Sequence, residues 1–103
     1  MKNLSQKQWS ENLSLHEDAQ ILDVRTATEV EEGKIPRSLN IDILNPHKFM
    51  AEIEKLDKSL HYFVYCKAGM RSAQACAVMQ QLGFDHTYNL DGGFSQWSGA
   101  VEN

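Results

Sequence analysis

Short apolar runs alternate with amphipathic stretches along this chain. Residues 20–24 (Gln-Ile-Leu-Asp-Val) form an apolar run of strand length, the pattern of a strand buried on both faces. Residues 38–41 predict a short strand, 61–65 a central strand and 86–90 a last one. Between them lie helical signals. Ser5 and Gln8 fit a capping box, with Leu4 and Trp9 placed as a hydrophobic staple, so a helix is expected from about Gln6 to Leu13. Thr26 and Glu29 repeat the box and start one or two helical turns that end at Gly33.

Asn45-Pro46 reads as an N-cap followed by proline at the first helical position, with Phe49, Met50, Ile53 and Leu56 at helical spacing behind it. Ala75, Val78, Met79 and Leu82 make an i, i+3, i+4, i+7 stripe on a helix starting near Ser72, and Gly83 stands where a C-terminal cap belongs. Asp91-Gly92-Gly93 is a turn, and residues 94–97 predict a final short helix. Strands alternating with helices predict an α/β fold: a parallel sheet covered on both faces. No repeat, low-complexity tract or linker interrupts it, so residues 1–103 read as one domain.

Composition narrows the function. At 103 residues and 42% hydrophobic content, the chain has enough apolar side chains for one packed core. Its net charge of −4 disfavours nucleic-acid binding. No run approaches the ~20 apolar residues of a membrane span. The first residues lack the apolar core of a signal peptide, and two cysteines make no disulfide framework, so a cytoplasmic protein with reduced thiols is expected.

The chemistry concentrates in residues 66–72. Cys66 ends an apolar strand and faces a helix N-terminus, where backbone N–H groups and the helix dipole favour an anion and lower a thiol's pKa. Gly69 permits a backbone shape that turns consecutive N–H groups inward. Arg71 can brace the loop or bind an oxyanion bidentately, and Lys67 adds positive charge near the mouth. The competing reading is a buried structural cysteine at a strand end.

These residues and three other segments resemble the rhodanese-like family. Cys66, Gly69, Arg71 and Ser72 match its Cys-x-x-Gly-x-Arg-Ser/Thr loop. Asp23-Val24-Arg25, with Glu29 downstream, resembles its Asp-Val-Arg signature. Residues 33–41 resemble its Gly-His-Ile-Pro-Gly-Ala-x-Asn-Ile segment, and residues 90–97 its Leu-x-Gly-Gly-x-x-x-Trp. Two positions depart: Lys34 stands where histidine is usual and Arg37 where glycine often occurs, which touches the local turn and surface charge rather than the nucleophile.

The resemblance implies a three-layer α/β/α fold with a mostly parallel central sheet of about five strands. It also implies sulfur transfer without a cofactor. Cys66 would be the nucleophile and persulfide carrier. Backbone N–H groups of Lys67, Ala68, Gly69, Met70, Arg71 and Ser72 would cradle the anionic sulfur. Arg71, with Lys67, would attract the donor's oxyanion, and Ser72 would cap the following helix. Thiosulfate is the implied type of donor; cyanide or a thiol is the acceptor. The alternative is a relay module fed by a dedicated sulfur-carrying protein, with little turnover of free thiosulfate. Cysteine-based phosphatases place five residues between cysteine and arginine, whereas this chain has four, a tighter ring better matched to one sulfur than to a tetrahedral phosphate. Phosphatase and arsenate reductase readings rank below sulfur transfer on that ground.

Supporting roles follow. Asp23 is expected to hydrogen-bond the cysteine-side loops, and Arg25 to pair with Glu29. If that helix reaches back to about Met70, Cys76 lies about six residues along it, roughly 9 Å of rise, beyond the ~7 Å reach of a disulfide, and reads as structural. Met70 either lines the pocket mouth or is exposed. Trp97 reads as a lid over the sheet edge and Gly92-Gly93 as a tight turn. His16, His47, His61 and His86 show no ligand spacing, and no metal site is expected.

Overall fold

A computed structural model describes residues 1–103. Five strands, β1 (Lys2–Leu4), β2 (Ala19–Asp23), β3 (Ser38–Asn40), β4 (His61–Tyr65) and β5 (His86–Leu90), form one sheet in the order β1-β5-β4-β2-β3. Every pairing is parallel. Four helices, α1 (Gln6–Leu15), α2 (Ala27–Glu31), α3 (Pro46–Glu54) and α4 (Met70–Gln81), and a 3₁₀ turn at Phe94–Gln96 connect them. No helix is long and apolar enough to cross a membrane.

Alternation along the central strands splits the core in two. Leu22, Val24, Tyr62, Val64 and Cys66 face α3 and α4, meeting Phe49, Ile53, Ala75, Cys76 and Met79. Ile21, Phe63, Tyr65, Tyr88 and Leu90 face α1 and the C-terminal segment, around Trp9. The second layer is aromatic: Trp9 meets Phe63, Tyr65 and Trp97 edge-on, and its Nε1 donates to the Tyr88 carbonyl at 3.2 Å.

Both capping boxes form, at Ser5/Gln8 and Thr26/Glu29. Gly83, at φ 95°, closes α4 by a Schellman arrangement: Phe84 N–H donates to the Met79 carbonyl and Gly83 N–H to that of Gln80. Three local expectations differ. Asn45 stands at the N-cap of α3 but makes no side-chain cap bond, leaving Pro46 as the start signal. The helix after Cys66 begins at Met70, two residues before the start of the amphipathic run near Ser72. Strand β1 was not foreseen: Lys2 and Asn3 are exposed, and only pairing with Tyr88–Leu90 of β5 makes the segment a strand.

Candidate active site

The loop after β4 sits at the C-terminal end of the sheet, where open parallel sheets place their sites. Cys66 is 1% exposed at the base of that loop. Gly69, with φ 106°, turns the chain so that its N–H points back to Sγ of Cys66 at 3.1 Å. The Ser72 hydroxyl lies 3.2 Å from the same sulfur and 3.2 Å from the Gly69 carbonyl, between which its single proton is shared. Burial pushes the Cys66 thiol up, but the Ser72 hydroxyl and the N–H groups of Ser72, Gly69 and Ala68 outweigh it, so its pKa falls below the ordinary thiol value. These donors favour the anionic form of the sulfur over the neutral thiol.

A second segment fixes that ring. Phe94 N–H donates to the Cys66 carbonyl and Ser95 N–H to that of Lys67, both at 2.9 Å. These bonds hold the loop carbonyls outward, which leaves the N–H groups to turn inward. A side chain at Gly93 would put its Cβ 2.5 Å from the Lys67 carbonyl oxygen. Gly93 is therefore required for close backbone approach as well as for its turn. Buried Asn89 on β5 donates to the Gly69 carbonyl at 3.2 Å. Neither contact was foreseen. The glycine pair was visible in the sequence; its partner loop, some 26 residues away, was not.

Arg71 lies side-on against Glu29, with Nη1–Oε1 at 2.7 Å and Nη2–Oε2 at 2.8 Å, each side chain 23% exposed. The Arg71 guanidinium holds the Glu29 carboxyl well below the usual range, at about 2, against some opposition from burial. Arg71 thus takes the bracing role. Lys67 is exposed and makes no ion pair, so it is the uncommitted cation of the loop. Ala68 is exposed too, and Met70 is 77% exposed at the rim.

Arg25 does not pair with the Glu29 carboxylate. Its Nε and Nη2 grip Asp23 at 2.8–3.2 Å, and Nη2 also donates to the Gly33 carbonyl at 2.8 Å. Arg71 occupies the Glu29 carboxylate instead, and Arg25 reaches only the Glu29 backbone carbonyl, at 3.4 Å. Nor does Asp23 bond the cysteine loop: its carboxylate accepts from the Arg25 N–H and from the Tyr65 hydroxyl at 2.7 Å. Tyr65 in turn accepts from Ile35 N–H at 3.1 Å. Burial, chiefly, pushes the Tyr65 phenol up to about 12. Together these groups clamp the ends of β2 and β4 to residues 33–35, and the Arg25 guanidinium lies 4.4 Å from the Phe94 ring. Their effect on Cys66 passes through Tyr65, the residue before it.

A family model, the Rhodanese-like domain, matches residues 5–100. The chain belongs to the rhodanese-like family. It is 35% identical to a putative sulfurtransferase of Bacillus subtilis, over 99% of this chain and 95% of that one. It is 34% identical to a sulfurtransferase of Allochromatium vinosum, over 86% and 80% of the two chains. Among solved structures, a rhodanese-like domain protein of Staphylococcus aureus superposes with a TM-score of 0.84 at 26% identity, covering 99% and 97%.

Both departures from the rhodanese pattern now have a place. Lys34 joins the C-terminal segment through two backbone bonds and a 3.5 Å ion pair with Glu102. Arg37 keeps φ at 66°, a left-handed conformation that glycine adopts freely and arginine only at a cost of about 1 kcal/mol.

Proposed function

We propose that this protein is a sulfurtransferase that carries sulfane sulfur as a persulfide on Cys66. The observation that carries this reading is the pair of donors on Sγ, Gly69 N–H at 3.1 Å and Ser72 Oγ at 3.2 Å, at the N-terminus of a twelve-residue helix. That arrangement stabilises an anionic sulfur before and after it gains a second sulfur atom. With thiosulfate, the thiolate attacks the outer sulfur. The S–S bond of the donor breaks and sulfite leaves with the electron pair. An acceptor nucleophile, cyanide or a thiolate, then attacks the terminal sulfur and the Cys66 thiolate departs unchanged. Lys67 draws the anionic donor in, while the inward N–H groups hold the persulfide. The decisive assay is thiocyanate formation from thiosulfate and cyanide, present in the wild type and absent in Cys66→Ser.

One observation favours a second reading. Glu29 already neutralises Arg71, so the loop presents only Lys67 as a free side-chain cation to a doubly charged donor. A protein-bound persulfide, brought in by docking rather than by charge, would not need Arg71. In that reading a persulfide-bearing partner loads Cys66 and free thiosulfate turns over slowly.

A further inference from the structure

The opposite end of the sheet carries a group of side chains that sulfur transfer does not use. His61 opens β4, and its ring is stacked between those of His16, 3.9 Å away with planes 9° apart, and His86, 4.1 Å away and 12° apart. His61 Nδ1 is 3.0 Å from the Asp18 carboxylate. One potential ligand atom each from His16, Asp18 and His61 lie within 4.8 Å of one another. They come from the end of α1, the turn after it and the start of β4. Cys66 is five residues along from His61, about 16 Å at strand rise, so the cluster is separate from the thiol.

We propose that His16, Asp18 and His61 form a binding site for a late first-row divalent cation such as zinc. Two imidazoles and a carboxylate are the donor set that such ions prefer, and three protein ligands leave a position for water. Exposed Glu17 beside the site adds negative charge. Ligands on one zinc ion lie about 3.4 Å apart, so the set closes by up to about 1.5 Å on binding. The stack also says which group moves. An imidazole donates in the plane of its ring, and parallel rings share no such point, so one ring must turn. His61 is oriented by Asp18, whereas the His16 side chain makes no hydrogen bond and sits at the C-cap of α1. His16 therefore swings out of the stack to meet the ion, while His61 and Asp18 are already in place.

The test is zinc titration by calorimetry on the Cys66→Ser protein, which keeps the ion off the reactive thiol, with histidine ring signals followed by NMR. The expected result is one zinc ion per chain, with affinity reduced at least tenfold by His16→Ala or His61→Ala and by a similar factor in Asp18→Asn. His47→Ala, an exposed histidine on α3, serves as control and leaves binding unchanged. The His16 ring signals shift most, as the stack opens. His16→Ala, at a helix end, carries the test even if His61→Ala disturbs the strand. No uptake of zinc, or uptake undiminished in His16→Ala, overturns the proposal.

Discussion

Cys66 and Cys76 are both inside the molecule, 1% and 0% exposed, and they face the same layer of core. Burial pushes both thiols up. At Cys76, in the second turn of α4, burial dominates, the Thr87 hydroxyl offsets little, and the thiol is pushed up to about 12. At Cys66, before the first turn, four donors from Ala68, Gly69 and Ser72 reverse the balance. The two differ in which end of a helix turn they see. A cysteine within a helix meets neighbours whose N–H groups are spent on the backbone ladder; one facing the N-terminus meets donors with no such partner. Burial therefore does not decide whether a thiol is inert. The supply of uncommitted donors does.

The largest effect that could break this contrast comes from exchanging the two cysteines' fates. Cys66→Ser should lower sulfur transfer on the order of a thousandfold or more. Cys76→Ala should leave it near wild type while costing about 1–2 kcal/mol in a denaturant melt. Next comes the loop clamp. Gly93→Ala should destabilise by about 2–4 kcal/mol, because it adds a Cβ at 2.5 Å from the Lys67 carbonyl at a residue with φ 61°, and the surviving folded protein should transfer sulfur more slowly.

Ser72→Ala sharpens the comparison by making Cys66 more like Cys76. It removes the strongest donor to the sulfur, so the inflection in the pH profile of kcat/KM should move to higher pH. At neutral pH the rate should fall about three- to tenfold. An unchanged profile would place the control of the thiol elsewhere. The smallest effect belongs to the Glu29–Arg71 pair. The Glu29 pKa is depressed from 4.5 to about 2, so its stabilisation is present above pH 4.5 and is lost as pH falls toward 2. Glu29→Gln should cost about 1 kcal/mol at neutral pH and flatten the acid limb of the stability curve. By freeing Arg71, it should also raise turnover of free thiosulfate a few-fold.

The same contrast explains what could be read in advance. Cys66, Gly69, Arg71 and Ser72 fall within seven consecutive residues, so the loop and the presence of a helix after it were legible locally, though not the helix's first residue; the central strands and both capping boxes were legible too. The partners of the loop were not. Glu29 lies 42 residues before Arg71, and its proximity to Arg25 in sequence made the wrong pair look natural. Gly93 looked like a turn residue because the carbonyl it must admit belongs to a distant loop. Strand β1 has no apolar alternation of its own and exists only through β5. The histidine stack has no sequence spacing because tertiary structure creates it: the parallel register of β4 and β5 sets His61 beside His86, and the end of α1 brings His16 onto His61.

The most direct test of the account is intact-protein mass after incubation with thiosulfate, for the wild type beside Cys66→Ser. A gain of one sulfur atom is expected in the wild type only, lost again on adding cyanide as thiocyanate appears. A well-folded wild type that gains no sulfur from thiosulfate or from a persulfide donor, or a Cys66→Ser protein that gains it equally, would contradict the assignment of Cys66 as the sulfur carrier.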